Sequence, residues 1–156
     1  MALDQDAATD SITRAIIGAA IEVHRVLGPG LLESAYQACL EYELFQRDIK
    51  FARQVPVPIV YRTVKVECGY RLDFLIEGGV VVEIKSVERL APIHSAQMIT
   101  YLKLTGCRVG LIINFNVSML KEGIRHLDHP DKYWERIAKN RSTETERRES
   151  DDEKRP

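Results

Sequence analysis

Glu77-Gly78-Gly79 is the strongest turn signal in the chain, and a stretch of alternating residues flanks it on each side. Tyr70-Arg-Leu-Asp-Phe-Leu-Ile76 precedes it and Val80-Val-Val-Glu-Ile-Lys-Ser86 follows. Side chains alternate across a strand, so Leu72, Phe74 and Ile76 are expected on one face and Arg71, Asp73 and Leu75 on the other. With a three-residue loop, Ile76 pairs with Val80 and Asp73 falls opposite Glu83, their Cβ atoms ~4.5–5.5 Å apart. A two-residue turn would pair Asp73 with Ile84 and turn it away from Glu83. The geometry of one turn therefore decides whether two carboxylates meet.

Two opposed carboxylates destabilise a ladder, and a shared site raises the pKa of one of them. Lys85, two residues beyond Glu83, offsets part of the repulsion. A divalent cation offsets it better, and hard oxygen ligands on adjacent strands suit Mg²⁺, with Lys85 placed to orient an attacking water. The plainer alternative is a surface hairpin with a charged rim. The valine-rich, otherwise apolar strands argue against it, because central strands rarely carry charges without a reason.

The rest of the chain supplies the frame. Asp10 or Ser11 is the expected N-cap of a first helix, with Ile12, Ile16, Ala20, Val23 and Leu27 on one face. Gly28-Pro29-Gly30 breaks it, and a second helix is expected from about Leu31 to Phe45 with Leu32, Ala35, Tyr36, Cys39 and Leu40 facing inward. Gln54 to Tyr61 reads as an edge strand because of Pro56 and Pro58, and Arg62-Thr63 as a turn. Val64 to Ile76 is one strand or two divided near Gly69. Pro92 opens a helix that Gly106 closes, and Arg108 to Asn114 is a buried strand. Short helices are expected over Ser118 to His126 and Pro130 to Lys139. The expected class is α/β, a mixed central sheet flanked by helices. Residues 1–10 form a polar segment, 11–139 the domain, and 140–156 a charged tail whose last sixteen residues hold five basic and six acidic groups and too little apolar surface to order.

Composition closes several classes. No stretch approaches the ~20 apolar residues of a membrane span, and MALDQDAATD lacks the basic and apolar regions of a secretory signal. Cys39, Cys68 and Cys107 make no zinc spacing with the four histidines and read as reduced thiols, so a cytoplasmic protein is expected. A net charge of −1 argues against a general nucleic-acid coat, though not against a local basic rim.

Three further residues border the trio. Glu33, Tyr36 and Leu40 share a stripe of the second helix, which places Glu33 at the edge of the buried face, although a first-turn Glu is also favoured by the helix dipole. Gln97 and Tyr101 are one turn apart on the helix after Lys85 and can present polar tips to one site. His94 reads as a solvated first-turn residue, Glu22 and His24 as flank residues, and Asn114 as a strand-end cap.

At these residues the chain resembles the PD-(D/E)XK nuclease superfamily, and more closely the small bacterial proteins named for a G-x-x-E-x-x-Y motif. Gly30-Leu-Leu-Glu33-Ser-Ala-Tyr36 has that motif, Asp73 followed by Glu83-Ile84-Lys85 matches D…E-x-K, and Gln97-Met-Ile-Thr-Tyr101 matches the Q-x-x-x-Y element of RecB-like nucleases. Leu72 stands where the superfamily's name has Pro. The resemblance covers about residues 12–127 and implies a restriction-endonuclease-like α-β-β-β-α-β core. It implies Mg²⁺ or Mn²⁺ held by Asp73, Glu83, Glu33 and the carbonyl of Ile84, with Lys85 as catalytic lysine and Gln97 and Tyr101 as supporting site residues. The implied activity is hydrolysis of DNA or RNA phosphodiesters, with a homodimer as one way to engage two strands. The competing function is a catalytically silent nucleic-acid-binding or regulatory module on the same scaffold.

Overall fold

The computed structural model describes residues 2–131. Helix α1 runs Ala2–Leu27 and packs Ile16, Ala19, Ala20 and Val23 into the core at helical spacing. It starts well before the expected Asp10 or Ser11. The residues upstream contain no breaker, and Asp6 is held by an ion pair with Arg108, so the helix continues through the two capping candidates. Gly28 and Gly30 then turn the chain with φ of +65° and +100°, conformations that favour glycine. Helix α2, Glu33–Gln46, buries Tyr36, Leu40 and Leu44. Leu32 precedes it and is exposed, contrary to expectation.

Strand β1, Phe51–Pro56, lies at the sheet edge, where prolines are tolerated. The expected single strand to Tyr61 is divided at Pro56 to Pro58, since neither proline can donate to a ladder. Strands β2, Ile59–Tyr61, and β3, Val64–Val66, form a separate hairpin turning at Arg62, and Gly69 separates β3 from β4, Arg71–Ile76. Strand β5, Val80–Lys85, is followed by helix α3, Pro92–Thr105, which ends at Gly106 in the left-handed conformation. Strand β6, Val109–Asn114, is buried throughout. The helix expected over Ser118 to His126 is instead a 3₁₀ turn, Leu120–Gly123, and strand β7, Ile124–Asp128. β7 half-buries Ile124, Arg125 and Leu127, exposes His126 and Asp128, and pairs with β6, whose outer edge would otherwise be unpaired. The helix expected over Pro130 to Lys139 and the charged tail fall largely or wholly outside the described residues.

The main sheet has the order β1-β4-β5-β6-β7, with β5 and β6 parallel and the other pairs antiparallel. Taken as α2, β1, β4, β5, α3 and β6, it contains the expected α-β-β-β-α-β order, a mixed sheet flanked by helices. One core joins α1 and α2 to Phe74, Ile76, Val82, Ile84 and Leu111. The other joins Met98, Tyr101 and Leu102 of α3 to Leu72, Val81 and Ile112. Among the described residues no helix is long and apolar enough to cross a membrane.

Candidate active site

The loop between β4 and β5 has three residues, with Glu77 and Gly78 at positive φ, and Ile76 pairs with Val80 as expected. The ladder continues through Leu75 with Val81 and Phe74 with Val82. At the next position the carboxylates take over the backbone's hydrogen bonds. The N–H of Asp73 donates to Glu83 Oε1 at 3.0 Å, and the N–H of Ile84 donates to Asp73 Oδ2 at 2.8 Å. Asp73 and Glu83 are thus neighbours in the expected register, and each accepts from the opposite strand.

A change of face accompanies this. Phe51 and Phe74 pack on the α1/α2 side, whereas Val55 and Leu72 pack on the α3 side. Simple alternation puts Leu72 with Phe74, so the sequence expectation for Leu72 is overturned. The strands pair Arg53 with Phe74 and Val55 with Leu72, with Gln54 and Asp73 between. Gln54 adopts φ of +49°, an uncommon conformation for a residue with a Cβ, and its amide bonds Gln37 of α2 at 3.2 Å. Both strands rotate across this pair, and Asp73 sits at the rotation.

Burial sets the electrostatics. Glu83 is only 8% exposed. Loss of water, then repulsion from Asp73, pushes its pKa up to about 8. Burial raises Asp73 as well, opposed by the hydrogen bonds from Ile84 and Glu83 and by Lys85. Burial thus raises both carboxyls above their ordinary range, and they titrate as one interacting pair. Lys85, paired with Asn114 across the parallel ladder and half-buried, lies close enough to favour both carboxylates but makes no ion pair with either.

Glu33 opens α2, and its Oε1 accepts the Ser86 N–H at 3.4 Å, while Ser86 Oγ donates to the Leu31 carbonyl at 2.5 Å. Its charge reaches Asp73 and raises that pKa. Among the described residues no three His, Cys, Asp or Glu side chains meet in one metal-holding group, so Glu33 stands beside the pair and outside it. Its carboxylate is spent on the end of β5. Tyr36 holds that arrangement: its hydroxyl donates to the Gly28 carbonyl at 2.6 Å, accepts from the Leu31 N–H at 3.1 Å, and its ring stacks on Phe115 at 4.5 Å. The G-x-x-E-x-x-Y residues therefore tie the turn between α1 and α2 to the end of β5.

On α3, Gln97 Nε2 donates to the Tyr101 hydroxyl at 2.9 Å. Burial, then the charge of Glu83, raises the Tyr101 pKa, so Tyr101 lies within the field of the carboxylate pair. Its ring meets that of Tyr70 edge-on at 6.5 Å, a contact not anticipated from sequence because Tyr70 precedes β4 as an isolated aromatic. His94 caps α3 by accepting the Ala91 N–H, and Asn114 ties Val87 and Asn116 to the end of β6. His24 bonds the Val117 carbonyl and Glu22 pairs with Arg25, so all four serve the scaffold.

The donor set suits a hard divalent cation. A buried Glu83 and a half-buried Asp73 that repel one another are left without an ion pair, all their donors are oxygen, and Mg²⁺ needs few protein ligands because it keeps several waters. Asp73 and Glu83 would hold it, with the Ile84 carbonyl on the same strand as Glu83. Such an ion supplies charge that stabilises a developing oxyanion and lowers the pKa of water.

Residues 10–127 match the PD-(D/E)XK nuclease superfamily. No curated protein sequence matches the chain. Among solved structures, an alkaline exonuclease from Laribacter hongkongensis is similar at 13% identity and a TM-score of 0.40, with 85% of this chain and 87% of that chain covered.

Proposed function

This chain belongs to the PD-(D/E)XK nuclease superfamily, and on that premise we propose that it hydrolyses phosphodiester bonds of DNA or RNA with Mg²⁺, or Mn²⁺ in its place. The observation that carries the reading is the Asp73–Glu83 pair, where two carboxylates replace the backbone pairing of β4 and β5 and stand together with Glu83 almost wholly buried. Separate structural acids would not be wedged together at a cost of this size. Lys85, on the strand of Glu83 and without an ion pair of its own, is the group placed to orient the attacking water and to stabilise charge on the phosphoryl oxygens. Gln97 and Tyr101 present an amide and a hydroxyl from the facing helix and position the substrate. Glu33 sets the end of β5 through Ser86 and enters the donor set only by giving up that bond. The G-x-x-E-x-x-Y assignment within the superfamily, a cytoplasmic setting and a homodimer belong to the same reading.

Purified protein incubated with plasmid, linear duplex, single strands and RNA should cleave at least one of them with Mg²⁺ or Mn²⁺ and none with chelator. Asp73→Ala, Glu83→Ala and Lys85→Ala should each abolish cleavage, with Lys85→Ala costing about 10²- to 10⁴-fold and leaving the fold intact. Metal binding by calorimetry without hydrolysis of any substrate would support the silent binding module instead.

A further inference from the structure

A cavity of about 400 Å³ opens between α3 and the segment leading into β4. Ile93, Gln97, Tyr101 and Leu104 fall on one stripe of α3, and Tyr70 and Ile59 face them. Ile93 is 68% exposed and Tyr70 45%, an apolar stripe and an aromatic open to solvent, whereas Tyr101 is buried at the floor. No residue lining the cavity carries a charge. Its polar side-chain groups are the Thr100 and Tyr70 hydroxyls and the Gln97–Tyr101 amide–hydroxyl pair, whose Tyr101 feels the charge of the carboxylates.

We propose that this cavity receives one unpaired nucleobase of the substrate strand, stacked against Tyr70 and hydrogen-bonded by Gln97, next to the phosphodiester held at Asp73 and Glu83. The inference rests on the nuclease reading and adds a substrate class to it. A phosphate would find no cation in the cavity, so the backbone is not its occupant. A planar, uncharged heteroaromatic ring with edge donors and acceptors matches both the apolar walls and the amide. Tyr70 of the cavity wall stands three residues before Asp73 along the chain, and Tyr101 packs in one cluster with Leu72 and Val81 of the strands that carry the pair. One nucleotide can therefore place its base in the cavity and its phosphate at the carboxylates. A base within a duplex is stacked on both faces and cannot enter without being extruded. The substrate is therefore a single strand, an overhang or a frayed end.

The test uses fluorescence anisotropy in chelator, where nothing is hydrolysed. One probe is a fluorescein-labelled oligothymidylate and the other the same backbone with abasic sites, which carries equal charge and no bases. Wild type should bind the oligothymidylate about 5- to 140-fold more tightly, the range that base–aromatic stacking spans. Tyr70→Ala should erase that difference while leaving abasic binding unchanged, and Ile93→Asp, at an exposed rim position, should reduce it without disturbing the fold. Equal binding of both probes by wild type would overturn the proposal. So would equal weakening of both by Tyr70→Ala, or a wild-type dimer that Ile93→Asp converts to monomer, which would make the cavity a contact between copies. Base-dependent binding without cleavage in Mg²⁺ or Mn²⁺ would sink the nuclease reading and keep the pocket. Cleavage with base-independent binding would do the reverse.

Discussion

Replacing Glu83 by Gln removes one ionisation while keeping an oxygen to accept the Asp73 N–H. In the folded protein Glu83 holds its proton up to about pH 8, whereas the ordinary value is 4.5. Between those values the folded state carries about one proton more than the unfolded chain. The stabilisation is therefore complete below pH 4.5 and is lost as pH rises through the folded value. The slope is about 1.4 kcal/mol per pH unit, so raising the pH from 5.5 to 7.5 should cost wild type about 2.7 kcal/mol more than Glu83→Gln. That is a large part of the 5–15 kcal/mol typical of a domain. Urea unfolding in chelator, followed at several pH values for both proteins, measures the difference for the pair, because titrations remote from Asp73 and Glu83 cancel. Mg²⁺ at about a hundredfold above its Kd should restore about 2.7 kcal/mol to wild type at pH 7.5 and much less to the variant. Parallel stability–pH curves for the two proteins would refute the raised pKa of Glu83.

Two further substitutions test the scaffold around the site. Tyr36→Phe removes a buried hydroxyl that both donates and accepts across the α1–α2 turn, and should cost about 1–3 kcal/mol in denaturant titration while weakening cleavage by loosening Glu33. Gly123→Ala places a Cβ 2.1 Å from the Asn114 carbonyl oxygen, a backbone atom that cannot move aside, and should lower stability by about 1–3 kcal/mol, readable as a fall in Tm.

The part of the site that could be read from sequence is the part governed by local rules. Glu77-Gly78-Gly79 fixed a three-residue loop, the loop fixed the register, and the register brought Asp73 to Glu83. Asn114 as a strand-end cap followed in the same way, from a short polar side chain after an apolar run. What alternation alone could not give was the position of Leu72, because the rotation at Gln54 and Asp73 depends on a neighbouring strand and on a left-handed residue with no glycine to mark it. β7 was read as helix because Ser118 to His126 has no period-two apolar pattern; pairing with β6 decided its state. Tyr70 was missed since a lone aromatic before a strand has meaning only once α3 is packed opposite it. Asp10 and Ser11 were good caps with helix on both sides of them, and a cap signal carries no information about the residues before it.

The rotation at Gln54 and Asp73 inserts no residue: Arg53 with Phe74 and Val55 with Leu72 keep one register on both sides. The two strands therefore behave as a torsion bar with its ends clamped in different cores, Phe51 and Phe74 in one and Val55 and Leu72 in the other. Asp73 lies between the two clamped ends. The Leu72 end continues into Tyr70 and the cavity wall, whereas the Phe74 end continues into the ladder with β5. On the proposed reading, the aromatic that grips the substrate base and the carboxylate that holds the metal are therefore parts of one continuous run of chain, with no loop between them.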